Sequence, residues 1–126
     1  MAGLTLDTGA LIGVERDDRR VLAHLKAALL DGRDVTVPAV VVAEAWRDGP
    51  RSARIARLLA ACEVDVVDEP LARTAGEAVA AAGATTIDAI VMASAAKRSD
   101  AVLTSDPDDL TQLRLCFPGV RVPAIR

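Results

Sequence analysis

The chain has 126 residues and a mass of 13.1 kDa, with a formal net charge of −3 and a pI near 5.1. That length bounds it to one domain over residues 1–126 with a single core, and the acidic balance excludes a protein that wraps nucleic acid by overall charge, so such binding would need a local basic patch. Hydrophobic residues make up 52% but aromatics only 2%, which excludes a base-stacking platform and requires a core of Ala, Val, Leu and Ile.

Leu4-Thr5-Leu6 predicts a short first strand ending at Asp7, and Thr8-Gly9 opens a helix through Ala10–Val14. An Asp at a strand-to-helix junction is ordinarily a turn or N-cap residue. Asp17-Asp18 starts a second helix with Leu22, Leu25 and Leu29 on one face and Asp31-Gly32 at its end, forming an αα-hairpin with the first. His24, the only histidine, has no Cys or His at ligand spacing and is a surface or half-buried helix residue without a role.

Val35-Thr36-Val37 predicts the second strand, and Pro38 at the first helical position converts the chain to a helix in which Ala39, Val42, Ala43 and Trp46 keep the helical spacing. Glu44 is the one acid inside that apolar turn, and an intrahelical pair with Arg47 is its ordinary explanation. Trp46 suits a core or an interface. Asp48-Gly49-Pro50 breaks the chain before a helix that turns Ile55, Leu58, Leu59 and Cys62 to the core. Along its flank Arg51, Arg54 and Arg57 recur at every third position, a stripe that is usually just solvated and is also the best candidate for phosphate contact. Val64-Asp65-Val66-Val67 predicts a third strand. Pro70 then opens a helix with Leu71, Thr74, Ala75, Ala78, Val79 and Ala82 inward, ended by Gly83.

From Ile87 to Lys97 the next helix is small and apolar nearly all round, so it should be packed on both sides, with Thr85 or Thr86 as its cap. Asp88 does not fit such a helix, because a buried carboxylate must be neutralised, paired or bound to a metal. Its alternative is a first-turn S/T-x-x-D box with Thr85. Ala101–Thr104 reads as a buried parallel strand ending in Ser105-Asp106-Pro107-Asp108-Asp109, and acids at the carboxyl end of such a strand are where α/β proteins bind ligands. Asp106 equally suits the N-cap of a helix opened by Pro107, with Asp109 three residues on. After Cys116-Phe117-Pro118-Gly119 the segment Val120-Arg121-Val122 predicts a last strand.

Strands alternating with helices imply right-handed crossovers and an α/β fold, a three-layer α/β/α sandwich with a central, mainly parallel sheet. Short turns then put Asp7 and Ser105-Asp106 at one edge of that sheet. Asp88 and Glu44 lie near the starts of helices beside the same edge, so the acids can converge. No apolar run approaches a membrane span and no basic leader precedes the first strand, which predicts a cytoplasmic protein without membrane contact. Cys62 and Cys116 form neither a C-x-x-C pair nor a disulfide framework and read as small buried hydrophobes.

With LDTGALI at Leu6–Ile12, VVVAEAW at Val40–Trp46, TTIDAIVMASA at Thr85–Ala95 and LTSDPDDL at Leu103–Leu110, in that order, the chain resembles the PIN domain over nearly its whole length. Within that family it looks like the small VapC-type toxins of bacterial toxin–antitoxin pairs. The resemblance implies an endoribonuclease dependent on Mg²⁺ or Mn²⁺, held inactive by a cognate VapB-type antitoxin and acting as a homodimer. Position by position it implies Asp7, Glu44, Asp88 and Asp106 as the catalytic and metal-binding acids, Asp109 as an additional ligand candidate, and Thr8 and Ser105 as hydroxyls near the metal. Gly9 departs from the family, which often has Ser there.

The chemistry agrees with that implication. Mg²⁺ takes hard oxygen ligands and keeps several waters, whereas acids gathered without a cation repel one another and protonate in part. In this scheme Asp7, Asp88 and Asp106 hold one or two cations, Glu44 is a ligand or the base that orients the attacking water, and the RNA products carry 5′-phosphate and 3′-hydroxyl ends. The antitoxin requires an apolar groove and an acidic pocket to receive its basic residues, and the hairpin Ala10–Leu30 and the helices around Trp46 and Leu58 are the candidates for the groove. The RNA target is set by loop shape and a few basic contacts. Two other readings stand beside this one. A phospho-receiver domain shares the length, the sandwich and an acidic Mg²⁺ pocket, with Thr104 imitating its switch hydroxyl, but it leaves Asp88 and Glu44 unexplained. A catalytically silent PIN-like binding module is the other.

Overall fold

Four short strands, Leu4–Leu6 (β1), Val35–Pro38 (β2), Glu63–Asp65 (β3) and Ala101–Leu103 (β4), pair in parallel in the order β3-β2-β1-β4. The computed structural model describes residues 2–125, and Met1 and Arg126 lie outside the described residues. Register is fixed by Leu4 opposite both Val35 and Ala101, and by Val37 opposite Val64. β1 and β4 are buried along their whole length, as expected for strands covered on both faces, while β3 is an exposed edge.

The connections are seven α-helices among the described residues: Thr8–Glu15 (α1), Arg19–Leu30 (α2), Ala39–Ala45 (α3), Ala53–Leu59 (α4), Glu69–Ala82 (α5), Thr86–Arg98 (α6) and Thr111–Cys116 (α7). Short 3₁₀ turns at Gly49–Ser52 and Pro107–Leu110 lead into α4 and α7. Helices α1 to α4 pack on one another, as do α5 to α7. The chain steps outward from β1 to β2 to β3 and then returns to the other side of β1 for β4. Right-handed crossovers therefore place α5 and α6 on the opposite face from α1 to α4. The reversal makes the β1/β4 junction the switch point of the sheet, where α/β proteins open a crevice outside the carboxyl ends.

Leu6, Leu11, Ile55, Met92, Leu103, Leu110 and Leu113 are fully buried in the core, each contributing about 1.5–3 kcal/mol from burial. The core has no aromatic among its fully buried large residues, and small residues let the helices approach closely. At Gly13 an added Cβ would come within 2.8 Å of a Val21 methyl, so the α1–α2 hairpin closes only because that position is glycine. No helix among the described residues is long and apolar enough to cross a membrane.

Several expected boundaries shift. Val120–Val122 is not a strand: it gives β4 one hydrogen bond, from Val102 N–H to the Arg121 carbonyl at 2.8 Å, because Pro118-Gly119 and Pro123 on either side cannot extend a ladder. The third strand is Glu63–Asp65, so Val66 and Val67 lie beyond it and are exposed. Pro38 closes β2 opposite Asp65 in an extended conformation, and α3 begins after it. The buried face of α3 is Val41 and Ala45, with Ala43 and Trp46 exposed, since a run of three valines leaves the facing side undetermined by pattern. Thr74, expected inward on α5, is exposed.

Candidate active site

Asp7 follows β1 and caps α1: its Oδ1 accepts from the Ala10 N–H at 2.8 Å, and the side chain is 8% exposed. Its carboxyl is pushed above the usual carboxylate range, first by burial and further by the charges of Asp88 and Asp109. Hydrogen bonds from the Thr104 hydroxyl and Ala10 N–H oppose that rise. Thr104, fully buried just beyond β4, also accepts from the Asp106 N–H at 3.1 Å, so one hydroxyl ties the ends of β1 and β4 together.

Asp88 stands in the first turn of α6, where Thr85 is the N-cap and accepts from the Asp88 N–H at 3.2 Å. Half of the expected capping box is present, without a return bond from the Thr85 N–H to the Asp88 side chain, and it does not account for the carboxylate. The Asp88 carboxyl is raised, first by burial and then by Asp109 and Glu44, against a hydrogen bond from Thr85. Glu44 lies on the second turn of α3 and accepts from Thr8 Oγ1 at 2.7 Å. The intrahelical pair expected with Arg47 is not made, because Arg47 turns back on the carbonyls of Ala43 and Trp46.

The structure thus brings Asp7, Asp88, Glu44 and Asp109 within electrostatic reach at the carboxyl edge of the sheet, beside the switch point. Asp106 is placed differently. It is exposed at the mouth of the 3₁₀ turn and makes no side-chain cap, and the acid that turn carries toward Asp7 and Asp88 is Asp109. At Gly9 an added Cβ would meet the hydroxyl of the exposed Ser105, which can rotate away, so packing does not require glycine there. Ser105 itself is exposed at the same edge.

A second carboxylate group lies under α6. The Arg98 guanidinium donates to Asp100 (3.0 Å), Asp65 (3.0 Å), Thr5 (2.9 Å) and Ser94 (2.9 Å). Ser94 in turn donates to Asp65 at 2.6 Å, Lys97 joins it at 2.7 Å, and Thr5 donates to Asp100 at 2.9 Å. Burial works against the Asp65 charge, yet bonds from Lys97, Ser94 and Arg98 hold its carboxyl below the usual range. No buried polar side-chain atom among the described residues lacks a partner.

A divalent cation fits the first group by its chemistry. Its members are oxygen donors with no cation of the chain beside Asp7 or Asp88 among the described residues, and the mutual repulsion that raises both would vanish on binding. Among the described residues no group of three or more His, Cys, Asp or Glu side chains is placed to hold a metal ion by itself. Mg²⁺ does not need one, since it commonly takes one or two carboxylates and completes its shell with waters and substrate phosphate.

A separate, apolar feature lies at the other end of α1. A cavity of about 590 Å³ opens between α2 and α4, lined by Val14, Leu22, Leu25, Leu29, Arg54 and Leu58 among others. It lies where the hairpin was expected to form a groove, and Trp46 does not line it. Arg51 and Arg54 of the sequence stripe are spent on Glu15, through its carboxylate at 3.3 Å and its carbonyl at 2.9 Å. Cys62 and Cys116 are half-buried against the core, and burial, helped by the charge of Glu63, pushes the Cys62 thiol up to about 11, so it is inert at neutral pH.

A parallel α/β sheet whose switch point carries clustered acids defines the class of α/β proteins with an acidic site at the carboxyl edge of the sheet. The chain belongs to the PIN domain family, whose sequence profile matches residues 4–115. In fold it is similar to FitAcB from Neisseria gonorrhoeae (23% identity over 94% of this chain and 95% of that one, TM-score 0.69). It is likewise similar to a toxin–antitoxin complex from Klebsiella pneumoniae (17%, 99% and 100%, TM-score 0.74) and to DNA-bound VapBC from Salmonella typhimurium (16%, 100% and 100%, TM-score 0.72). No curated protein matches the chain by sequence.

Proposed function

We propose that the chain is a metal-dependent endoribonuclease and the toxin of a VapC-type toxin–antitoxin pair, folded as one domain. The observation that carries this reading is the pair Asp7 and Asp88, one buried and one half-buried carboxylate, each raised first by burial and then by neighbouring acids, with no cationic partner among the described residues. Asp7 and Asp88 are the proposed ligands of Mg²⁺ or Mn²⁺, with Glu44 and Asp109 completing the acidic rim and Asp106 at its outer edge. When bound, the cation supplies an activated water and charge neutralisation at the scissile phosphate.

The chain's own groups do the positioning. Ala10 N–H and the Thr104 hydroxyl fix both the place and the rotamer of Asp7. Thr8 holds Glu44 across from α1, leaving one carboxylate oxygen to orient or deprotonate water. Ser105 stands at the rim as a hydroxyl donor to a phosphate oxygen.

A receiver reading loses its support, because Thr104 is buried and committed to Asp7 and the Asp106 N–H rather than free to follow a phosphoryl group. The toxin reading draws on structures of similar fold that are toxin–antitoxin complexes. It also draws on the apolar cavity beside α2, whose Leu22, Leu25, Leu29 and Leu58 between the charged Asp17, Lys26 and Arg57 suit an amphipathic antitoxin segment.

The test is cleavage of a total-RNA pool by the purified, partner-free chain. Wild type with Mg²⁺ or Mn²⁺ is expected to cut at few sites, leaving 5′-phosphate and 3′-hydroxyl ends, and to stop with EDTA. Asp7→Asn keeps a residue able to cap α1 and is expected to lose at least about 100-fold in rate, since even residues that only support a metal ligand cost 10–100-fold. Equal activity in wild type and Asp7→Asn, or 2′,3′-cyclic phosphate ends, would refute the proposal. A folded chain with no cleavage under any metal would be the silent binding module.

A further inference from the structure

Three arginines from separate parts of the chain line one cavity at the amino end of β4, on the far side of the sheet from the acids. Arg33 comes from the link between α2 and β2, Arg114 from α7 and Arg121 from the C-terminal segment. Ala101, Val122 and Pro123 complete the walls of a space of about 430 Å³. Their backbones are held in place: the Arg33 Nε donates to the Ala2 carbonyl at 2.6 Å, leaving its two terminal nitrogens free. The Arg121 carbonyl accepts from Val102, and Arg114 rides on a helix whose Leu113 is fully buried.

Among the described residues no acidic side chain lines the cavity. Among the described residues neither Arg114 nor Arg121 makes an ion pair or a side-chain hydrogen bond, and the nearby Asp100 is taken by Arg98 and Thr5. Three like charges gathered without a counter-charge favour an anion between them, and guanidinium forks suit the paired oxygens of a phosphate.

We infer that this cavity is a phosphate-binding site for the RNA strand, remote from the acids that cut it. The choice of RNA among phosphate-bearing ligands rests on the nuclease reading above. A chain of net charge −3 with an acidic pocket repels a polyanion, so it needs a local basic hold on the strand. The stripe at Arg51 and Arg54 is turned to Glu15, whereas these three arginines are free to supply the hold. Ala101 borders the cavity and Ser105 borders the acids, so an extended stretch of about 13 Å separates them. Phosphates recur about every 3.4 Å along a stacked strand, so a strand bridging both sites spans roughly four nucleotides or more.

The test is fluorescence anisotropy with a labelled twelve-nucleotide oligouridine in EDTA, comparing wild type, Arg114→Ala/Arg121→Ala and the charge-keeping Arg114→Lys/Arg121→Lys. The alanine pair is expected to weaken binding about tenfold and to flatten the plot of log affinity against log salt by about 1.4, at about 0.7 per single-strand phosphate contact. The lysine pair is expected to keep the wild-type slope, which separates lost charge from lost folding. Unchanged affinity and slope in a folded alanine pair, or no oligouridine binding by wild type, overturns the inference. So does a rise in melting temperature with inorganic phosphate that depends on these arginines while oligouridine binding does not, for then the ligand is a small phosphate. Because no divalent metal is present, failure of the nuclease reading shows separately, as absent cleavage with strand binding intact.

Discussion

Asp65 and Asp100 on one side, Asp7 and Asp88 on the other, are the same side chain under opposite treatment. The first two share the Arg98 guanidinium, with two hydroxyls and Lys97 saturating the remaining oxygens, and Asp65 is held ionised. The second two are buried next to further acids and receive only neutral donors, Ala10 N–H and Thr104 for one and Thr85 for the other, so both are raised. The fold thus builds a carboxylate network paired with cations under α6 and leaves another without a cationic partner among the described residues at its switch point, which is the contrast the proposed metal site draws on. The difference also separates stability from function: one cluster holds the molecule together and the other works against it.

Removing the compensating cation tests the first half of that contrast and carries the largest expected effect on stability. Arg98→Ala strands the carboxylate of Asp100, 5% exposed, while Asp65 keeps Lys97 and Ser94, and is expected to cost about 3 kcal/mol in urea unfolding. Asp88→Asn, measured alongside without metal, is expected to melt no lower than wild type. A large loss in Asp88→Asn would break the contrast.

Within the acidic pocket, Asp109→Asn is expected to lower kcat/KM about tenfold, in the range of a group that supports metal binding, and Asp106→Asn to lower it less. The reverse order would shift the fourth acid back to Asp106. The smallest effect is on pH dependence. Asp7 and Asp88 bind protons more tightly folded than unfolded, so metal-free thermal stability is expected to rise as pH falls from neutrality into their raised range. Asp65 is lowered, so its contribution is present above the ordinary value of 3.8 and is lost as pH falls through its folded value. A melting-temperature profile measured with saturating Mg²⁺ should invert the first trend, because protons and cation compete for the same oxygens.

Much of this was legible from residue order. Asp7 after an apolar triplet, Thr85 three residues before Asp88, and Ser105-Asp106 after Ala101–Thr104 mark strand ends and helix starts, and the parallel sheet brings those ends together. What pattern could not carry is pairing across the chain. Asp65 looks like one acid in a strand, yet its partners Ser94, Lys97 and Arg98 lie 29 to 33 residues on. Arg33, Arg114 and Arg121 form no motif and meet only because the terminal segment runs beside β4. The choice between Asp106 and Asp109 depends on how tightly the Pro107–Leu110 turn winds, which a Pro-Asp-Asp sequence leaves open.

The place of β4 in the sheet has a consequence for the order of events during synthesis. β1 is made first but gains its second neighbour only when residues 101–103 have emerged, and the acids at positions 7, 44, 88 and 109 share no pocket before then. Closing that pairing is a late, long-range step. A chain in which residues 101–103 have not yet docked on β1 therefore carries its carboxylates scattered, and whatever they do together begins with the docking of that strand.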